Sequence, residues 1–217
     1  MGSLRWLLAS LGLGAAFGTV TSASNDVSSP YGTFGSQTAQ TGWADVAKVA
    51  SLLLDAGWAW AALAVAAGWL VGARFRGAVA GVVALAAAVT AYYGLDFILR
   101  GEPFALYQAE MLWWWVASLV LGSALGTVGA AVRCPGVIGL IAGLAVPMGA
   151  ALQMVILPPG LDGYTENPEA VWVRLIVWVG AALCGGVVIA RFFLAKAFQQ
   201  PAGGAHTSAD STLISAT

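Results

Sequence analysis

Arg174 is the residue whose chemistry stands out first: a cation about one turn inside a long apolar run that begins at Val171. A charge inside a membrane segment is costly and takes a partner. Arg174 is therefore expected to pair with Asp96, Glu110 or Asp55, or to hold a ligand carboxylate or phosphate as a bidentate donor. A salt bridge that staples two helices is the alternative. Asp55, Asp96 and Glu110 could recognise a polar ligand or serve as general acids. Gln153 adds an amide in the same layer, and Trp58, Trp60, Tyr92, Tyr93, Trp113 and Trp114 offer stacking surface and cation–π faces. Two cysteines and one histidine, His206, cannot build a thiol-rich zinc site, a CxxC redox centre or an HExxH hydrolase, so neither a metal nor a cofactor is expected.

Composition says what must hold these groups. Of 217 residues, 59% are hydrophobic and 9% are charged, with a mean hydropathy of +0.83. Soluble domains carry about 25% charged residues, so the chain is read as all-α, a polytopic membrane bundle in a lipid bilayer. The formal net charge of −1 leaves no basic surface for nucleic acid. A bilayer core of about 30 Å needs about 20 apolar residues in a helix. Six stretches meet that need: Leu4 to Ala23, Leu52 to Ala73, Gly77 to Phe97, Leu112 to Val132, Gly136 to Leu157 and Val171 to Leu194. Residues 1–198 thus form one six-helix transmembrane domain, with an external loop over 24–48 that is rich in Ser, Thr and Gly. Beyond Trp43, Asp45 to Leu54 has helical spacing and reads as an interfacial helix leading into the second span. Residues 199–217 are polar and small, and read as a disordered tail.

Lys and Arg stay on the cytoplasmic side. With both termini inside, Arg5, Arg74, Arg76, Arg133, Arg191 and Lys196 are cytoplasmic, Lys48, Arg100 and Arg174 lie outside, and of the acidic residues only Asp210 falls within. A competing reading takes Arg5, the apolar run Leu7 to Val20 and the small residues Ser22 to Ser24 as a secretory signal peptide, whose cleavage would leave five spans.

GxxxG pairs recur at Gly14 and Gly18, Gly68 and Gly72, Gly77 and Gly81, Gly122 and Gly126, and Gly139 and Gly143. Such pairs let membrane helices approach closely, and several fall in the cytoplasmic half, so the bundle is expected to close there. Tryptophan is biased the other way. Three consecutive tryptophans, Trp113 to Trp115, sweep about 300° of helix, so at least one must face the bundle. The pattern describes a cup that opens away from the cytoplasm. A short repeat, LGAAFGTV at Leu13 to Val20 and LGSALGTV at Leu121 to Val128, hints at an inverted three-helix duplication, common among secondary transporters.

The Thr21 to Asn25 run TSASN, the DAGWAW stretch from Asp55 to Trp60 and the AYYGLD end of the third span resemble an uncharacterised family of actinobacterial six-span membrane proteins, a domain of unknown function. The resemblance covers most of the chain. It implies a bacterial plasma membrane and supplies no activity. A looser similarity is to the substrate-capture subunits of energy-coupling-factor vitamin transporters, which implies an outward pocket lined by Trp and a small-residue first helix that docks a partner.

The leading functional expectation is a protein that binds or transports a small molecule or lipid ligand in the aromatic cup, with Asp96, Glu110 and Arg174 as polar recognition groups. The alternatives are a membrane enzyme acting on a lipid or isoprenoid through Asp55, Asp96 or Glu110, and an accessory subunit that binds a membrane partner subunit through its glycine faces.

Overall fold

The computed structural model describes residues 2–38, 41–159 and 168–199, and these form an all-helical bundle. Its helices are α1 (Gly2–Ser28), α2 (Gly35–Thr38), α3 (Gly42–Leu54), α4 (Gly57–Val71), α5 (Arg74–Arg100), α6 (Ala105–Ala131), α7 (Val137–Ile156) and α8 (Pro168–Gln199). Five of them are long and apolar enough to cross a membrane, and the bent pair α3 and α4 makes a sixth segment. The chain is a polytopic membrane bundle. Its two ends differ in charge: Arg74, Arg76 and Arg133 gather with Arg5 at one, the arginine end, and Asn25, Asp55 and Tyr92 meet at the other.

The second expected span, Leu52 to Ala73, is not one helix. The chain bends by 63° between α3 and α4, at Asp55, Ala56 and Gly57. Aspartate and glycine are both poor interior helix residues, and Ala56 takes extended angles of φ −65 and ψ 135. With 15 residues, α4 rises only about 22 Å, short of a bilayer core. Ala56 offers no side-chain cap to its first amides. Gln153 on α7 supplies the acceptor instead, taking the Trp58 backbone N–H on Oε1 at 3.0 Å.

The stretch expected as an irregular loop is more ordered than its Ser/Thr content suggests. α1 continues past Ala23 to Ser28, and α3 is helical from Gly42. Between them Asp26, only 3% exposed, accepts the Thr33 N–H at 2.8 Å and the Phe34 N–H at 2.9 Å on its two carboxylate oxygens. Thr33 Oγ1 in turn donates to the Leu99 carbonyl at 2.7 Å, which ties the turn to the end of α5. The tail from residue 200 onward, His206, Asp162, Glu166 and Asp210 lie outside the described residues.

α5 is the hub. Ala80, Ala84 and Ala88 are wholly buried along it, and α1, α4 and α6 all pack against it. A Cβ on Gly14 would overlap the Ala84 carbonyl and one on Gly18 the Ala88 carbonyl. On another side of α5, a Cβ on Gly126 would overlap the Gly77 carbonyl and one on Gly81 the Gly122 carbonyl. α4 joins the same knot, because a Cβ on Gly68 would overlap the carbonyl of Gly126. The two copies of the repeated motif thus perform one task, close approach to α5, from helices that run in opposite directions. The duplication does not extend further: α1 packs on α5, but among the described residues α8 packs on α7 and α3 and does not touch α6. α1 also supplies Gly14, Gly18 and Ser22 to this interface, so cleavage after Ala23 would strip a face of α5.

At the arginine end Gly72, at φ 71, closes α4 in a left-handed conformation. The Arg133 guanidinium lies 5.0 Å from the centre of the Trp69 ring and donates to the Leu70 carbonyl at 3.4 Å, so the two tight hairpins are tied together.

Gly126→Ala puts a Cβ against the Gly77 carbonyl and is expected to cost about 1–3 kcal/mol, seen as a lower Tm in thermal unfolding of the detergent-solubilised protein. Gly12→Ala and Gly149→Ala, with nothing within 4 Å of the added carbon, are expected to leave Tm unchanged or raise it. Asp26→Ala removes the acceptor of two part-buried N–H groups, at about 0.5–1.5 kcal/mol each, and should speed amide exchange at Thr33 and Phe34; Asp26→Asn, which keeps one acceptor, should do so less.

Candidate functional site

α4 and α6 meet through glycine toward the arginine end, and a space opens between them toward the other end, with α5 as its floor. Gly68 seats on Gly126, and a Cβ on Gly129 would overlap the Val65 carbonyl. Nearer the opposite end the facing residues are Trp60 and Ala61 on α4 and Trp114, Ala117 and Ser118 on α6. They enclose a cavity of about 550 Å³, within the range of about 300–1,000 Å³ usual for small-molecule sites. Asp55, exposed at the bend, lines its mouth. Leu85 and Val89 of α5 and Leu121 and Leu125 of α6 line its deeper part.

The aromatic wall is a chain of ring contacts across four helices, edge-to-face except for the last, which is tilted. Phe17 meets Trp60 at 5.3 Å between ring centres and 85° between planes, and Trp60 meets Tyr92 at 6.4 Å and 67°. Tyr92 meets Tyr93 at 5.2 Å, and Tyr93 meets Tyr107 at 6.0 Å. Each such pair adds roughly 0.5–1.5 kcal/mol beyond area burial, so the rings of Trp60, Tyr92 and Tyr93 are held in place before any ligand arrives.

A single amide organises the mouth. Asn25, on the last turns of α1, donates through Nδ2 to Asp55 Oδ1 at 3.1 Å and to the Tyr92 hydroxyl at 3.1 Å. Its Oδ1 accepts from Ser51 Oγ at 2.6 Å. α1, α3, the bend and α5 are all tied by this one side chain, and two of its three partners line the cavity.

Of the residues expected at a ligand site, the structure brings together Asp55, Trp60, Tyr92, Tyr93 and Trp114. The others stand outside the lining. Trp58 packs beside Ala150, Met154, Val173 and Val177 of α7 and α8, because two helical residues separated by one position point about 200° apart. Gln153 is engaged with the α4 amide. Asp96 is buried between Ser22 Oγ at 2.8 Å and the Arg100 Nε at 3.4 Å, an ion pair one turn along its own helix. Glu110 accepts the Tyr93 hydroxyl at 3.3 Å from the rim. Trp113 is 75% exposed on the flank of α6. Arg174 sits on α8, away from the α5 and α6 helices that carry Asp96 and Glu110, and Asp96 takes its charge partner from Arg100 instead. Of the three consecutive tryptophans, Trp114 is the one that turns to the cavity, while Trp115 Nε1 donates to Thr90 Oγ1 at 3.2 Å.

Sequence reasoning missed Asn25 as the organising group and Ala117, Ser118 and Leu121 as lining. The signal for the latter was present, since 114, 117, 118 and 121 fall on one helical stripe.

Asn25→Ala removes three hydrogen bonds at once and is expected to destabilise the mouth by about 1–3 kcal/mol, read as a lower Tm and faster exchange at the end of α3. Ser51→Ala removes one of the three and should have a fraction of that effect. No protein family matches this chain, and neither a curated protein nor a solved structure matches it.

Proposed function

We propose that this membrane protein binds a small molecule in the cavity between α4, α5 and α6 and presents it to, or moves it from, the outer side of a bacterial plasma membrane. The observation that carries the proposal is the cavity of about 550 Å³ with Trp60, Tyr92, Tyr93 and Trp114 around an exposed carboxylate, Asp55. Toward the arginine end α4, α5 and α6 are drawn together to backbone contact by glycine. The volume opens where glycine gives way to Trp60, Ala61, Trp114 and Ala117, beside rings that already brace one another.

The sense of the cavity follows from charge. Arg5, Arg74, Arg76, Arg133, Arg191 and Lys196 lie at the arginine end, against Lys48, Arg100 and Arg174 at the other. Retention of Lys and Arg in the cytoplasm makes the arginine end, with both termini, cytoplasmic and the Asp55 mouth external. The lining receives one carboxylate, with Asp96 and Glu110 bonded elsewhere, which fits recognition better than paired acid–base chemistry.

Native mass spectrometry of the protein purified in mild detergent tests this. Wild type is expected to retain a specific small molecule, and Ala117→Trp, which fills the cavity from the α6 wall, is expected to release it while the thermal transition stays cooperative. An equal ligand load in both proteins, or a wild type that carries none and takes up none from a metabolite extract, would overturn the proposal.

A further inference from the structure

The chemistry of the cavity changes along its length. At the mouth stand the Asp55 carboxylate and the Tyr92 hydroxyl, next come the ring faces of Trp60, Tyr93 and Trp114, and the far end is formed by Leu85, Leu121 and Leu125. From the ring level at Trp114 to Leu125 along α6 the distance is about 16 Å at 1.5 Å per residue, so the cavity with its apolar end is elongated along the helix. Among the described residues no Lys or Arg lines it. A free anion would meet the Asp55 carboxylate and the negative faces of several rings with no cationic side chain in the lining itself, since Lys48 and Arg100 act on Asp55 and Tyr92 from outside it. A small soluble cation would leave the leucine half empty.

The wall is also incomplete on one side. Trp114 is 54% exposed and Leu121 is 52% exposed, and Leu121 lies well inside a 27-residue spanning helix. Both side chains thus keep much of their surface exposed at spanning depth while bordering the cavity. α4 and α6, in contact at Gly68 and Gly126, part at this level.

We infer that the ligand is a cation-headed amphiphile, a single alkyl chain bearing an ammonium group, which enters sideways from the outer leaflet between α4 and α6. This inference rests on the binding role proposed above and names the class of molecule bound. The chain lies along Leu85, Leu121 and Leu125. The ammonium head sits among the rings of Trp60, Tyr92, Tyr93 and Trp114, where cation–π attraction strengthens as water is excluded, and meets the Asp55 carboxylate at the mouth.

The test uses the full chain in nanodiscs of zwitterionic lipid and a quaternary ammonium probe with a photoactivatable diazirine near the end of a twelve-carbon chain, roughly matched to the length of the cavity along α6. Adducts are mapped by mass spectrometry. Saturable labelling at Leu85, Leu121 and Leu125 is expected, competed by dodecyltrimethylammonium but not by dodecyl sulfate or tetramethylammonium at equal concentration. Asp55→Asn should weaken the probe roughly tenfold, as loss of a charged partner implies. Because the competition series is run on wild type, it decides the matter even where that variant folds poorly. Equal competition by dodecyl sulfate would overturn the cationic head, and equal competition by tetramethylammonium would overturn the alkyl chain, each leaving a binding cavity in place. Labelling that Ala117→Trp leaves unchanged, spread along the lipid-facing surface, would instead overturn the cavity as a binding site and the inference with it.

Discussion

Gly126 is the point on which the bundle turns. A Cβ there would strike the Gly77 carbonyl, and its own carbonyl occupies the place where a Cβ on Gly68 would stand. Three helices thus share one residue without a side chain. In a bilayer no hydrophobic force drives helices together, and dispersion between closely apposed backbones has to do so. The contact therefore sets the separation of α4, α5 and α6 at the arginine end, and every other spacing among them follows from how the helices leave it.

They leave it unequally. On the α1 side of α5, Gly14 and Gly18 continue the close approach turn after turn, ending in the Ser22 to Asp96 hydrogen bond. Between α4 and α6, glycine gives way to Ala61, Trp60, Ala117 and Trp114. The helices cannot close over side chains of that size, and the resulting volume is kept from collapse by rings that brace each other from Phe17 to Tyr107. The cavity is a consequence of where glycine stops.

Much of this was legible in the sequence, and the failures share a cause. Apolar length located the spanning helices, and the GxxxG pairs marked true contacts at Gly14, Gly18, Gly68, Gly77, Gly81, Gly122 and Gly126, because both signals are local. Angular position was the information left unused: Trp58 and Trp60 cannot face one cavity, and Asp96 with Arg100 one turn later is a local pair that needs no partner from α8. The bend at Asp55 is invisible to hydropathy, which averages over the break. The role of Asn25 was not legible at all, since its partners Ser51, Asp55 and Tyr92 come from three separate elements. Asp26 is similar in kind, a carboxylate in a Ser-rich stretch that gave no sign it would hold the amides of Thr33 and Phe34.

The placing of Asn25 bears on what an occupant could do to the rest of the molecule. It bonds Asp55 and Tyr92, both of which line the mouth, while its own backbone belongs to α1 and its third partner to α3. A ligand head that takes the Asp55 carboxylate competes with Asn25 for it. The loss falls on the one side chain that ties α1 to the α3–α4 bend. Occupancy and the angle of that bend are then linked. A ligand can shift such an equilibrium only by the difference in its affinity for the two arrangements, and here that difference is about one charge-assisted hydrogen bond, on the order of 1.5–3 kcal/mol. Such an amount is enough to change the population of a bent element. Parting Gly68 from Gly126 at the far end would forfeit backbone contacts along a whole helix face, so passage toward the arginine end would require a second source of energy beyond the binding step itself.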